Sequence, residues 1–353
     1  MKYGRLNLIA GVFLAVLFEP LCGTADEPKP LRRFDFERIE MGVDFRIGLY
    51  ACDQRVANDA AKAAFDRVRE LNSKLSDYDA SSEVRKLCEK PPQQWHSVSR
   101  DLHTVLLHAN RLSEESNGAF DVTVGHYTKL WRRARRRKML PEASQLAKLA
   151  KRTGHQLLRV NAQKPRVWME NEGLRIDLGG IAKGYAVDEA LRSLQLSGIE
   201  RAYVDGSGDI AVGMPPPDKP KWRIEVAALR ETQDSDPVSI EIASCAVATS
   251  GDAFQAVEID GRRYSHIVDP RTGMPLSTPS SVTIVAPNSM QADSLASAVS
   301  VMGPGKGAAM IGKLKQTECF VVTLKDDRSV VKATSGFSSL IVNDADPEKS
   351  SHR

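Results

Sequence analysis

The chain has 353 residues, 42 per cent of them hydrophobic, so it is large and apolar enough to build a full core as one large domain or two ordinary ones. Its net charge of +4 is small for that length and does not mark a nucleic-acid-binding protein. Five widely spaced cysteines with no CxxC pair exclude a zinc-ribbon pattern and a disulfide framework, although a single disulfide stays open for an exported protein.

Lys2 and Arg5 precede an apolar run from Leu8 to Phe18, and Gly23-Thr24-Ala25 offers small residues for cleavage, so residues 1–25 read as an export signal. The run has eleven residues, against the about 20 that a membrane span needs. Glu19-Pro20-Leu21 before Cys22 lacks the small residue of a lipid-attachment site, which argues against a lipoprotein anchor. Residues 26–35 are expected to be a linker, 36–343 one folded domain, and 344–353 a disordered polar tail. The expected location is the periplasm or cell envelope.

Within the domain, Met41-Gly42 precedes an alternating strand from Asp44 to Tyr50. Val56, Ala60, Ala64, Val68, Leu71 and Leu75 give the next segment the apolar face of a helix. SDYDASSEVRKL is a polar turn into a short helix capped by Ser81 or Ser82, and Ser99 caps a longer one that stops near Asn117-Gly118. AFDVTVG follows at 119–125, and then RRARRRK at 132–138, the strongest charge run of the chain. Without interleaved aromatics, that run is read as a solvated helical face, with an acidic partner surface or membrane phosphate as the alternative.

The stretch LRIDLGGIAKGYAVDEALRSLQLSG, residues 174–198, organises the rest. Leu174, Ile176 and Leu178 alternate as in a half-buried strand; after Gly179-Gly180 the spacing Ala182, Ala186, Ala190, Leu194 is that of a helix. Two glycines before a helix N-terminus let the backbone approach a ligand and turn free N–H groups toward it, which suits an anion such as phosphate. Farther on, strands are expected at 201–204, 222–226, 238–242, 245–248, 281–285 and 319–324, with a helix from Met290 to Met302. Strands in adjacent pairs, rather than strict alternation with helices, indicate an α+β fold with antiparallel sheet.

Two clusters carry chemistry. Asp293 and Ser297 stand four residues apart and share one helix face; with a loop carbonyl they would suit a hard cation such as Mg²⁺, which takes oxygen ligands. His266 lies in a polar, Gly-rich loop between Ser265 and the Asp269-Pro270 turn, where a group titrating near neutrality can act as a general base.

Together the motifs MG at 41, SDYDASSEVRKL, AFDVTVG, IDLGGIAKGYAVD, DGSGDI at 205, ATSGD with YSHIVDPRTG, and ADSLASA resemble the ApbE family of FAD:protein FMN transferases, over roughly Phe36 to Ile341. The resemblance implies an ApbE-like, T-fold-like α+β architecture with antiparallel sheets and packed helices. It also implies transfer of FMN from FAD to a Ser or Thr of a flavoprotein, such as a subunit of an ion-pumping quinone reductase, with release of AMP. FAD contacts are then expected from Met41, Tyr78, Ala119, Phe120, Asp121, Asp177, Lys183 and Ile267. Mg²⁺ would be held by Asp293, Ser297 and the Gly180 carbonyl, and His266 would be the catalytic base. No nucleic-acid partner is implied, and membrane association is left to the partner or the N-terminus. The chain departs from the family pattern at several places. It has Ser297 for the usual Thr, Asp205 and Ser207 for Asn and Gly, Val43 within MGT, His126 for Pro, and the Arg run where glycines follow the tryptophan. Two other readings of the same pocket are an exported FAD-binding or scavenging protein, and a pyrophosphatase that hydrolyses FAD to FMN and AMP.

Overall fold

The computed structural model describes residues 30–226, 238–251, 256–325 and 328–342; the export-signal and tail readings fall outside them. The described residues from Leu31 onward belong to one compact unit. Its main sheet has eight strands: β1 (Arg32–Glu40), β2 (Val43–Ala51), β3 (Ala202–Gly206), β4 (Asp209–Val212), β5 (Cys245–Gly251), β6 (Ser280–Ala286), β7 (Glu318–Lys325) and β8 (Arg328–Ala333). Every neighbouring pair is antiparallel, and the order across the sheet is the order along the chain. The expected α+β class is therefore the observed one.

Residues 32–35, expected to be linker, belong to edge strand β1. Phe34 and Phe36 alternate with charged residues and pack on the core, a period-two pattern that the high charge of the segment obscures. Among the described residues, seven α-helices lie between the strands: α1 (Gln54–Leu75), α2 (Glu83–Leu87), α3 (Arg100–Glu115), α4 (Gly125–Arg137), α5 (Ala143–Ala150), α6 (Ala182–Leu196) and α7 (Ser289–Ile311). Asp53, Ser82 and Ser99 cap α1, α2 and α3, each accepting a backbone N–H three residues on, at 2.9, 3.2 and 3.2 Å.

The sheet is covered on both faces. Phe45, Ile47 and Leu49 of β2 and Ala246 and Ala248 of β5 join the inward faces of α1, α6 and α7 in the main core. Each large side chain fully buried there contributes about 1.5–3 kcal/mol. The alternate residues Val212, Val247 and Val285 face a second layer with Trp222, Ile240 and Phe337. That layer includes the expected strands Trp222–Val226 and Val238–Ile242, which form a small sheet with Ile341–Val342 instead of joining the main one.

The segment 174–178 is corrected as well. Leu174, Ile176 and Leu178 are fully buried, but they pair with no described strand. Their backbone is satisfied by loops: Asp177 N–H donates to Val122 O at 2.8 Å, and Arg175 O accepts from Gly125 N–H at 3.1 Å. The helix after the two glycines is α6, with Ala182, Ala186, Ala190 and Leu194 all buried. Helix α7 is broken at Gly303, whose φ of 77° and ψ of 168° are not helical, just before Pro304. Its first part ends where the sequence places the end, at Met302.

Candidate active site

The site is an open cavity of about 1230 Å³ at one side of α6 and α7. All the residues singled out from the sequence line it: Met41, Tyr78, Ala119, Phe120, Asp121, Asp177, Gly180, Lys183, His266, Ile267, Asp293 and Ser297.

Met41 occupies the two-residue turn between β1 and β2, where Glu40 pairs with Val43. Both turn residues are left-handed, Met41 at φ 52° and Gly42 at φ 78°, as a type I′ hairpin turn requires. A non-glycine there costs on the order of 1 kcal/mol or more and is a mark of functional positions. Tyr78 projects from the loop after α1, where Ser76 Oγ accepts the N–H groups of Tyr78 and Asp79, each at 3.3 Å. The residue is 78% exposed, with the guanidinium of Arg132 4.3 Å from the ring centroid.

Arg132 corrects the reading of the Arg run. It is not solvated: one end donates to Asp77 at 2.6 Å and the other to Asp177 at 2.9 Å, both carboxylates being buried. Burial and the neighbouring Asp177 push the Asp77 carboxyl above its ordinary range, while Arg132 opposes the shift. Asp177 also accepts Thr128 Oγ1–H at 2.6 Å and Gly179 N–H at 2.9 Å, which fixes the turn into α6. Arg135, three residues after Arg132, lines the cavity too, whereas Arg133, Arg136, Arg137 and Lys138 are exposed. Asp121 is buried, caps the turn Val122–Val124 through Thr123 N–H at 2.7 Å, and is pushed up by burial.

The charged centre lies between α6, α7 and the β3–β4 turn. Lys183 forms an ion pair with Asp209, and the nearby carboxylates hold its ammonium well above the ordinary lysine range. Asp293 is buried, and desolvation together with the charge of Asp209 pushes its carboxyl up to about 7. One Asp293 oxygen accepts Gly184 N–H at 3.1 Å, so a carboxylate of the protein takes one of the free N–H groups expected to meet an anion. Asp209 was not singled out: it lies within DGSGDI, but its proximity to Lys183 depends on the packing of β4 beside α6.

A Cβ on Gly180 would lie 2.8 Å from Ser297 Oγ, so the glycine backbone lies directly against that hydroxyl. Asp293 and Ser297 line the same cavity as Gly180, and a carboxylate, a hydroxyl and a backbone carbonyl are the oxygen donors that a hard cation takes. Among the described residues, no three of His, Cys, Asp and Glu group as ligands of one ion, so the fit rests on this mixed set. Asp188 of α6 holds the start of α7 by accepting the N–H groups of Ser289 and Met290 at 2.7 and 2.8 Å.

His266 and Ile267 lie on a loop tied at both ends, by Ser265 N–H to Leu276 O at 2.8 Å and Leu276 N–H to Ile267 O at 2.9 Å. The loop is also docked on α4: Trp131 Nε1–H donates to Gly273 O at 2.7 Å, and its ring stacks on Tyr264. The departures from the family pattern find places here. Asp205 accepts Gly208 N–H at 2.9 Å and shapes the β3–β4 turn, while Ser207 takes the left-handed φ of 61° that favours glycine. His126 contacts Gly173 O at 2.8 Å. Cys52, Cys88, Cys245 and Cys319 are free thiols.

A chain-wide comparison matches residues 41–321 to the ApbE family model. The FAD:protein FMN transferase of Vibrio cholerae serotype O1 is 31% identical over 317 residues, 89% of this chain and 94% of that protein. Among solved structures, a flavin transferase ApbE from Vibrio cholerae superimposes with a TM-score of 0.79 at 30% identity, over 88% of this chain and 100% of that one. The Thermotoga maritima ApbE protein gives 0.78 at 29%, over 88% and 100%. With the match running from the turn after β1 through the cavity wall and α7 into β7, the chain belongs to the ApbE family.

Proposed function

We propose that this protein is an FAD:protein FMN transferase that acts on a Ser or Thr hydroxyl of a partner flavoprotein. The observation that carries the reading is the convergence, in one cavity, of Lys183, Asp293, Ser297, Gly180 and His266. At about 1230 Å³ the cavity exceeds an ordinary small-molecule pocket of roughly 300–1,000 Å³, as a dinucleotide substrate requires. Tyr78 and Met41 at its rim suit the flavin ring, and Asp177 and Asp121 suit polar edges of the same substrate.

Asp293, Ser297 and the Gly180 carbonyl would hold Mg²⁺, which would offset the pyrophosphate charge. Lys183 of α6 would do the same. His266 accepts the proton of the acceptor hydroxyl, whose oxygen forms the new bond to the FMN phosphorus. The bond from that phosphorus to the AMP oxygen breaks, and AMP leaves with the electron pair. In such transfers positioning and charge stabilisation do most of the work. The N-terminal pattern of residues 1–25 supports export to the periplasm or cell envelope, and a subunit of an ion-pumping quinone reductase suits the acceptor role.

The test is to incubate the protein with FAD, Mg²⁺ and a candidate acceptor, then weigh the acceptor and assay AMP. Added FMN mass supports transfer. AMP without added mass would assign hydrolysis instead, and bound FAD without turnover would assign a carrier.

A further inference from the structure

We propose that the outward face of α4 docks an acidic segment of the acceptor protein beside the hydroxyl to be modified; this rests on the transfer reading above. Arg133, Arg136, Arg137 and Lys138 are exposed and, among the described residues, form no ion pair. No Asp or Glu occurs from Gly125 to Leu140. The outward face of another helix is built differently: on α1, Arg55 and Lys62 each meet an aspartate four residues on. The helix C-terminus favours cations in its last turn, but Arg133 precedes that turn.

Position decides what the strip is for. Arg132 and Arg135 of the same helix line the cavity. Helical spacing puts Arg136 beside Arg132 and Arg133 beside Arg136 and Arg137, so the exposed cations are continuous with the cavity rim. Trp131 ties α4 to the loop that carries His266, which fixes the strip relative to the base. An acceptor must bring a hydroxyl into this cavity, and acidic residues flanking that hydroxyl would meet the strip as it enters. A membrane surface would meet the same charge, but it would not deliver a hydroxyl to His266.

The experiment uses a short fluorescein-labelled peptide with a central Thr between acidic residues, and a matched peptide with Gln in their place. Anisotropy with the FAD-loaded protein should show tighter binding of the acidic peptide, with affinity falling as salt rises. The triple variant Arg133→Glu, Arg136→Glu, Arg137→Glu should bind it roughly tenfold or more weakly, while its FAD affinity, read from flavin fluorescence, stays unchanged. Equal binding of both peptides by the wild type, or an unchanged acidic-peptide affinity in the variant, overturns the proposal. So does a result in which the variant loses only its binding to phosphatidylglycerol vesicles. Mass spectrometry of the same samples separates the two readings: the acidic-peptide preference without any FMN label would sink the transfer activity and leave the docking strip standing.

Discussion

Gly184→Ala tests whether the site depends on the close approach of α6 and α7. A Cβ at this position would lie 2.3 Å from Ser289 O and 2.8 Å from Asp293 Cβ. Ordinary contact is about 3.5 Å, so α7 must move by roughly 1 Å, and the obstacle is backbone that cannot rotate aside. Asp188 resists that movement, because it holds Ser289 and Met290 from α6. Overpacking costs about 1–3 kcal/mol, offset by up to about 1 kcal/mol of helix propensity, which leaves a net loss of about 1–2 kcal/mol. In a domain of this size that lowers Tm by only a few degrees, at roughly 2–4 °C per kcal/mol. The effect on chemistry is larger. Asp293 and Ser297 ride on the displaced helix, and a shift of about 1 Å in positioned groups costs on the order of 10²-fold in rate. Thermal unfolding and the initial rate of acceptor labelling at saturating Mg²⁺ measure both quantities. Gly305→Ala is the control, since its methyl would meet nothing within 4 Å. A Gly184→Ala protein with wild-type melting and wild-type labelling would refute the argument.

Asp293→Ala should abolish transfer and leave the fold intact, because it removes the only charged member of the oxygen set; wild-type turnover at limiting Mg²⁺ would show that the set is misassigned. Ser297→Ala should be milder in the same assay. His266→Ala should keep FAD binding and lose about 10²- to 10⁴-fold in labelling rate, and normal labelling at saturating FAD and Mg²⁺ would remove it from the mechanism. Asp101, bound by Arg67, Lys74 and Tyr185, has its carboxyl depressed to about 2 although burial opposes the shift. A depressed carboxylate gives stability that is present above its unfolded value of about 3.9 and lost as pH falls through about 2. Asp101→Asn should therefore cost about 1–2 kcal/mol at neutral pH after solvent screening, with the gap to wild type closing in acid urea melts.

The elements with a strong single period were legible: β2, α1, α3, α6 and the first part of α7 all follow the spacing of their apolar residues. So was part of the cavity's lining, the residues that sit in short continuous motifs. The clamp of Arg132 between Asp77 and Asp177 was not, since it joins three segments whose meeting depends on tertiary packing. A signal did exist: Trp131 and Ala134 are buried on α4, and Arg132 and Arg135 follow each of them by one residue, so that two of the six charged residues of the run face inward. Residues 174–178 read as a strand because alternation reports burial on an extended backbone and cannot report which backbone groups accept its hydrogen bonds. β1 was lost for the converse reason, its apolar residues being few and its exposed face charged.

A sheet whose strands lie in chain order can be assembled by adding each new strand to an edge that is already made, with no gap to be filled later by a distant segment. The cavity has no such progressive route. Its wall runs from Met41 to Val301, and it is complete only when α7 has packed against α6. Flavin binding should consequently be the last native property to return on refolding, after the sheet's circular dichroism has recovered, and the first to go when β1 or β8 is left in place but α7 is loosened.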